Sequence, residues 1–176
     1  KTNTGIFELI CKFKNVHWTI STETIEQEYN YVRHHGNWND FLSNFKIIKD
    51  LPHKISFNML YFILNYKSLF DCVKYFQELG VHNNSFVIGP LYNPIWLNVL
   101  NLPEETIQSC IEMFDKEISK KPGFLLQNSY ENVRSYLTDT KFSANIELTK
   151  QEIKKMDLRR NIDSKKVFPK LYEVLN

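Results

Sequence analysis

A chain of 176 residues, 43% hydrophobic and 24% charged, has the length and apolar content of an ordinary soluble globular domain, which excludes disordered, collagen-like and solenoid classes. Twenty-two Lys and Arg against twenty Asp and Glu leave a net charge of +2, too balanced for affinity driven by counterion release, so no nucleic-acid partner is expected.

The first segment, Gly5 to Lys14, places Ile6, Leu9, Ile10 and Phe13 at mixed helical spacing and predicts a short helix. In VHWTIS, Val16, Trp18 and Ile20 alternate with His17, Thr19 and Ser21, which predicts a strand. Thr24 followed by Gln27 has the capping-box pattern, and Ile25, Tyr29 and Val32 continue one apolar face, so a helix is expected over Thr24 to His34. Asn37 can cap a second helix whose stripe is Trp38, Phe41, Leu42, Phe45 and Ile48, ending before Pro52.

KISFNMLYF alternates again and predicts a second strand. Ser68 with Asp71 opens a helix carrying Leu69, Phe70, Val73, Phe76 and Leu79, closed by Gly80, and SFVIG follows as a third strand. Strands alternating with helices at these lengths argue for parallel strands joined by right-handed crossovers, the unit of open α/β sheets and of (β/α) barrels. Beyond Pro94 the pattern is helical: Pro103, Glu104 and Glu105 start a helix with the stripe Ile107, Cys110, Ile111, Phe114 and Ile118, and weaker helical stretches run to the end. The division expected is residues 1–94 as a strand-bearing unit and 95–176 as a helical extension packed on it.

Strands buried on both faces read as continuous apolar runs, and these do not. His17, Thr19 and Ser21 share one side of the first strand, Ser56 and Asn58 one side of the second. Two readings stay open: a polar ligand meets this lining in a cleft near the C-terminal strand ends, or the face is simply open to water. Arg33, late in the first crossover helix, can fork onto a ligand carboxylate or complement a helix C-terminus.

Other chemistry is weaker. His34 and His35 point about 100 degrees apart on a helix and lack a third ligand at useful spacing. Cys11, Cys72 and Cys110 are odd in number and without Cys-x-x-Cys spacing, which fits a reducing compartment and no self-contained metal site; the last two lie on apolar helix stripes. Five scattered glycines form neither nucleotide-binding glycine loop. Glu23 and Glu26 can serve as acid/base groups or match a helix dipole, and Lys154, Lys155, Arg159 and Arg160 read as a wet helix face. The longest apolar stretch, Phe57 to Leu64, is far below the roughly 20 residues of a membrane span. Neither a membrane partner nor a signal peptide is expected, and a cytoplasmic location is. The chain opens on Lys1 rather than Met and reads as part of something longer.

The run from VHWTIS through YNYVRHHGNW to KISFNMLYFILN resembles the second half of the barrel in radical S-adenosylmethionine proteins of the SPASM/twitch type. There a strand ending in Ser-x-Asp is followed by an aromatic-x-Tyr-Ile-Arg segment, a Trp, an Asn-containing helix and the next strand. KTNTG is similar to the Thr-Asn-Gly that ends the preceding strand, and MDLRRNIDSKKVFPKLYEV to the closing segment of one twitch-bearing branch.

The resemblance implies a partial (β/α) barrel with parallel strands. It also implies S-adenosylmethionine as the cofactor, contacted by Ser21, Arg33 and Asn58, with Glu23 standing where the family has its Asp. The Cys-x-x-x-Cys-x-x-Cys loop that binds the [4Fe-4S] cluster is absent, so the cluster belongs to a longer parent chain and this chain alone is expected to be inactive. A peptide or protein substrate is implied for the parent. A first strand without its neighbour leaves an open sheet edge, so a homo-oligomer is expected. The alternative is a non-enzymatic α/β protein-binding module that self-associates.

Overall fold

The computed structural model describes residues 4–140 and 144–175. Helix α1 (Thr4–Ile10) leads into strand β1 (His17–Ser21), followed by α2 (Glu26–Val32) and α3 (Trp38–Lys49). Strand β2 (Lys54–Tyr61), helix α4 (Leu69–Glu78) and strand β3 (Phe86–Pro90) complete a three-stranded sheet in the order β1-β2-β3. Both strand pairs are parallel, as the alternation of strands and helices predicts. The architecture is therefore α/β with an open parallel sheet; among the described residues the strands do not close into a barrel. The KTNTG similarity falls mostly on residues 1–3, outside the described residues, while Thr4 and Gly5 begin α1.

Register places Thr19 beside Ser56, Ser21 beside Asn58, and Asn58 beside Val87. The alternate set, Phe57, Met59, Tyr61, Phe86 and Ile88, is buried. Helices cover that side: Phe45 of α3 and Phe76 of α4 have ring centroids 5.7 and 4.5 Å from Phe57. Burying such a ring is worth several kcal/mol, since truncating a core Phe costs ~3–5 kcal/mol. Helix α4 stops cleanly because Gly80 takes the left-handed conformation (φ +91°), which lets Val81 N–H reach the Phe76 carbonyl and Gly80 N–H the Gln77 carbonyl.

The remaining helices are α5 (Glu104–Ser119), α6 (Phe124–Asp139), α7 (Ile146–Arg160), α8 (Ser164–Val167) and α9 (Pro169–Leu175). One apolar cluster runs through both parts of the chain, from Tyr29 and Trp38 to Leu126, Ile153 and Leu171. The closing segment is pinned to α2: the Tyr31 hydroxyl donates to Asp157 at 2.8 Å, and the Ser164 hydroxyl to the other oxygen of the same carboxylate at 2.7 Å. Arg160 adds a bond to the Tyr31 carbonyl and lies over its ring.

The two sheet edges differ. Val16 C=O accepts from Lys54 N–H, so by alternation the backbone groups of His17, Thr19 and Ser21 point away from β2, toward the open edge. On β3 the outward groups belong to Phe86, Ile88 and Pro90. Ile88 N–H donates to the Ser129 hydroxyl of α6 at 3.1 Å, and Pro90 has no N–H to offer.

Candidate functional site at the strand ends

The polar face anticipated from His17, Thr19, Ser21, Ser56 and Asn58 exists as one face of the sheet, yet it is not a covered pocket. His17, Thr19, Ser21 and Asn58 are exposed and Ser56 is half-buried, joined by Leu60 and Val87, which are 37% and 49% exposed. The correction has a simple cause: among the described residues the helices that meet the strands do so on the Phe57 side, and none crosses to the other. Ser21 and Asn58 are register partners on adjacent strands, so their side chains stand about 5 Å apart on that open surface.

Beyond Ser21 the chain turns inward. Thr22, Glu23 and Thr24 are all buried at the C-terminal end of β1. The Thr22 hydroxyl donates to the Thr24 carbonyl at 2.9 Å, which folds the chain back. The capping box expected at Thr24 does not form: α2 starts at Glu26 with Ile25 in the cap position, and the buried Thr24 hydroxyl has no partner among the described residues. Glu26 itself takes a left-handed φ of +53°, an unusual value for a residue with a side chain.

Arg33 follows the last turn of α2 and returns its guanidinium to Glu23. One nitrogen donates to both carboxylate oxygens, at 2.7 and 2.9 Å. That commits one of the three guanidinium nitrogens, on a side chain that is 37% exposed. Burial pushes the Glu23 carboxyl above its ordinary value, and the charge and hydrogen bond of Arg33 pull it back only in part. The Arg33 Nε–H, also buried, has no partner among the described residues. Two unfilled polar atoms, the Thr24 hydroxyl and this Nε–H, thus belong to the same strand-end loop and its partner.

Asn65, not singled out by the sequence reading, holds the loop in place. Its amide donates to the Glu23 and Leu60 carbonyls at 3.2 and 2.8 Å, and its carbonyl accepts from Phe62 N–H at 2.8 Å. One fully buried side chain thereby ties the end of β1 to the end of β2. A signal for it existed: a lone amide inside the apolar run YFILNY needs buried partners.

These residues can meet a polar ligand laid across the strand ends: the hydroxyl of Ser21 and the amide of Asn58 offer hydrogen bonds on the open face, and the Glu23 carboxylate, two residues beyond Ser21, is held by Arg33. They do not fit an iron-sulfur cluster. Burial raises the Cys72 and Cys110 thiols, Cys72 strongly, which disfavours the thiolates a cluster needs. Among the described residues no group of three or more His, Cys, Asp and Glu is placed to hold a metal ion, and no helix is long and apolar enough to cross a membrane. Comparison with protein-family models, with curated proteins and with solved structures finds no match.

Proposed function

We propose that the chain is the later part of a radical S-adenosylmethionine barrel, whose open strand face is the lumen side of the parent fold. The observation that carries this reading is the one-sided parallel sheet: crossover helices on the Phe57 face, polar side chains on the other, and a fixed Glu23–Arg33 pair where the strands end. Barrels of this type keep helices outside and polar ligands at the C-terminal strand ends. In this reading Ser21 and Asn58 hold the polar part of S-adenosylmethionine, Arg33 orients Glu23, and Glu23 meets the ribose. The chain's own residues bind and orient; the electron that cleaves the sulfonium would have to come from a cluster held by a longer parent chain. The substrate is a peptide or protein side chain.

Calorimetric titration with S-adenosylmethionine tests the reading. The expected result is measurable affinity that falls in Asn58→Ala and in Glu23→Gln; heat indistinguishable from dilution for the wild-type chain counts against it.

The open β1 edge favours a second reading, a non-enzymatic module that pairs with a copy of itself. The exposed apolar side chains Ile6, Leu9 and Phe13 on and just after α1 support it, because a surface of that kind gains from being covered.

A further inference from the structure

Between the loop after β2, the start of α4 and the closing segment at residues 167–171 lies a cleft of about 250 Å³. Leu64, Phe168 and Leu171 give it an apolar floor, while Glu28 and Asp71 bring negative charge and Lys67 and Lys170 positive charge. Its walls are fastened together: the Tyr66 hydroxyl donates to the Lys170 carbonyl at 2.9 Å, joining positions 104 residues apart. Leu171 N–H turns back on the Phe168 carbonyl at 3.0 Å, which shapes the closing segment.

The charges in this cleft are not used up by one another. Among the described residues, none of the four side chains takes part in an ion pair. Glu28 has a single neutral partner, the Ser68 hydroxyl, which donates to it at 2.5 Å instead of capping its own helix α4. Burial raises the Glu28 carboxyl; the Ser68 hydrogen bond lowers it, Asp71 raises it further and Lys170 opposes. A half-buried carboxylate with a second carboxylate nearby and no cation in contact gains from an incoming ammonium. Lys67, resting 5.5 Å from the Tyr66 ring centroid, and Lys170 offer the complementary charge.

We propose that this cleft binds a free α-amino acid with an apolar side chain. Its ammonium lies between Glu28 and Asp71, its carboxylate faces Lys67 and Lys170, and its side chain rests on Leu64, Phe168 and Leu171. At about 250 Å³ the cleft is smaller than the ~300–1,000 Å³ of sites for drug-sized ligands. Leucine and methionine fit within this space, and the paired opposite charges over an apolar floor suit their zwitterion. The proposal goes beyond the barrel reading and does not depend on it, since Ser21, Glu23, Arg33 and Asn58 take no part.

Titration of the chain with L-leucine and L-methionine, followed by amide proton–nitrogen correlation spectra, tests it. Two analogues carry half the recognition each: isoamylamine has the ammonium alone, 4-methylpentanoate the carboxylate alone. The expected result is saturable shifts at the amides of Ser68, Asp71 and Lys170, with each analogue at least about tenfold weaker, ~1.4 kcal/mol. Glu28→Gln and Lys170→Met should each weaken leucine by a similar factor. The Lys170 side chain reaches solvent, so its variant reports on binding even if Glu28→Gln perturbs folding. Three outcomes overturn the proposal: no shifts up to ~10 mM amino acid, where a binding free energy of only about 3 kcal/mol would register; an analogue that binds as well as leucine; or leucine affinity unchanged in Lys170→Met.

Discussion

A single guanidinium nitrogen of Arg33 bridges both carboxylate oxygens of Glu23, and the two partners see very different amounts of water: the Glu23 side chain is 6% exposed, that of Arg33 37%. The pair is consequently asymmetric. Arg33→Ala strands a buried carboxylate and is expected to cost ~2 kcal/mol, below the ~3–5 kcal/mol of a fully buried pair because Arg33 is partly wet. Glu23→Gln leaves a guanidinium that water can reach and should cost about 1 kcal/mol or less. Urea midpoints of the two variants check this; equal losses contradict it.

Burial holds the Glu23 and Glu28 carboxyls above their ordinary 4.5, so the native state keeps these protons to higher pH than the unfolded chain does. Their contribution to stability is complete below the unfolded value and declines as pH rises through the folded ones. Glu28→Gln removes one such group. Its melting temperature relative to wild type should therefore climb between pH ~4 and pH ~7. A difference that stays flat or falls over that range refutes the assignment.

Asn65 satisfies three backbone groups at once. Replacing it with Leu leaves the Phe62 N–H and the Glu23 and Leu60 carbonyls without their partner. At ~1–3 kcal/mol for each buried group left unmet, a loss of about 3 kcal/mol or more is expected. Chemical denaturation measures it, and a loss under about 1 kcal/mol would mean that water replaces the amide.

Neighbouring residues of β3 should respond in opposite ways. Val87 is 49% exposed and Ile88 2%. Val87→Thr is expected to fall within ~0.5 kcal/mol of wild type, as surface changes do, while Ile88→Thr should cost ~2–4 kcal/mol. A large loss at Val87 would instead show that the open face is covered in solution.

Self-association through β1 predicts that Thr19→Pro yields a monomer without unfolding the chain. Thr19 N–H points to the open edge, so proline there removes a donor from the edge and none from the β1–β2 ladder. Light scattering at high protein concentration reads the mass. A wild-type chain that is already monomeric sinks the pairing.

Much of the fold is legible in the sequence because it rests on local spacing. The stripe from Trp38 to Ile48 becomes α3 with Asn37 as its cap, its side chain accepting from Asp40 N–H at 3.1 Å. The alternation in VHWTIS and KISFNMLYF becomes β1 and β2 with the anticipated parity. What alternation cannot tell is which side lacks a cover: His17, Thr19 and Ser21 read the same over a ligand cleft as over bulk water. Nor does spacing reveal contacts between distant positions. Glu23 meets Arg33 only because the loop folds Glu23 back over α2, and Tyr31 reaches Asp157 across 126 positions. At Thr24 the local rule itself loses, because the loop buries the hydroxyl before the helix begins.

The unequal sheet borders limit what this molecule can build. With Ile88 N–H taken by Ser129 and no donor at Pro90, the β3 flank offers little for a newcomer's backbone to hold. Among the described residues β1 is therefore the edge with a backbone donor row to offer, and if two copies were to pair there neither would present a second such strand. A pairing of that kind would stop at two copies, short of the open-ended stacking from which fibrils grow.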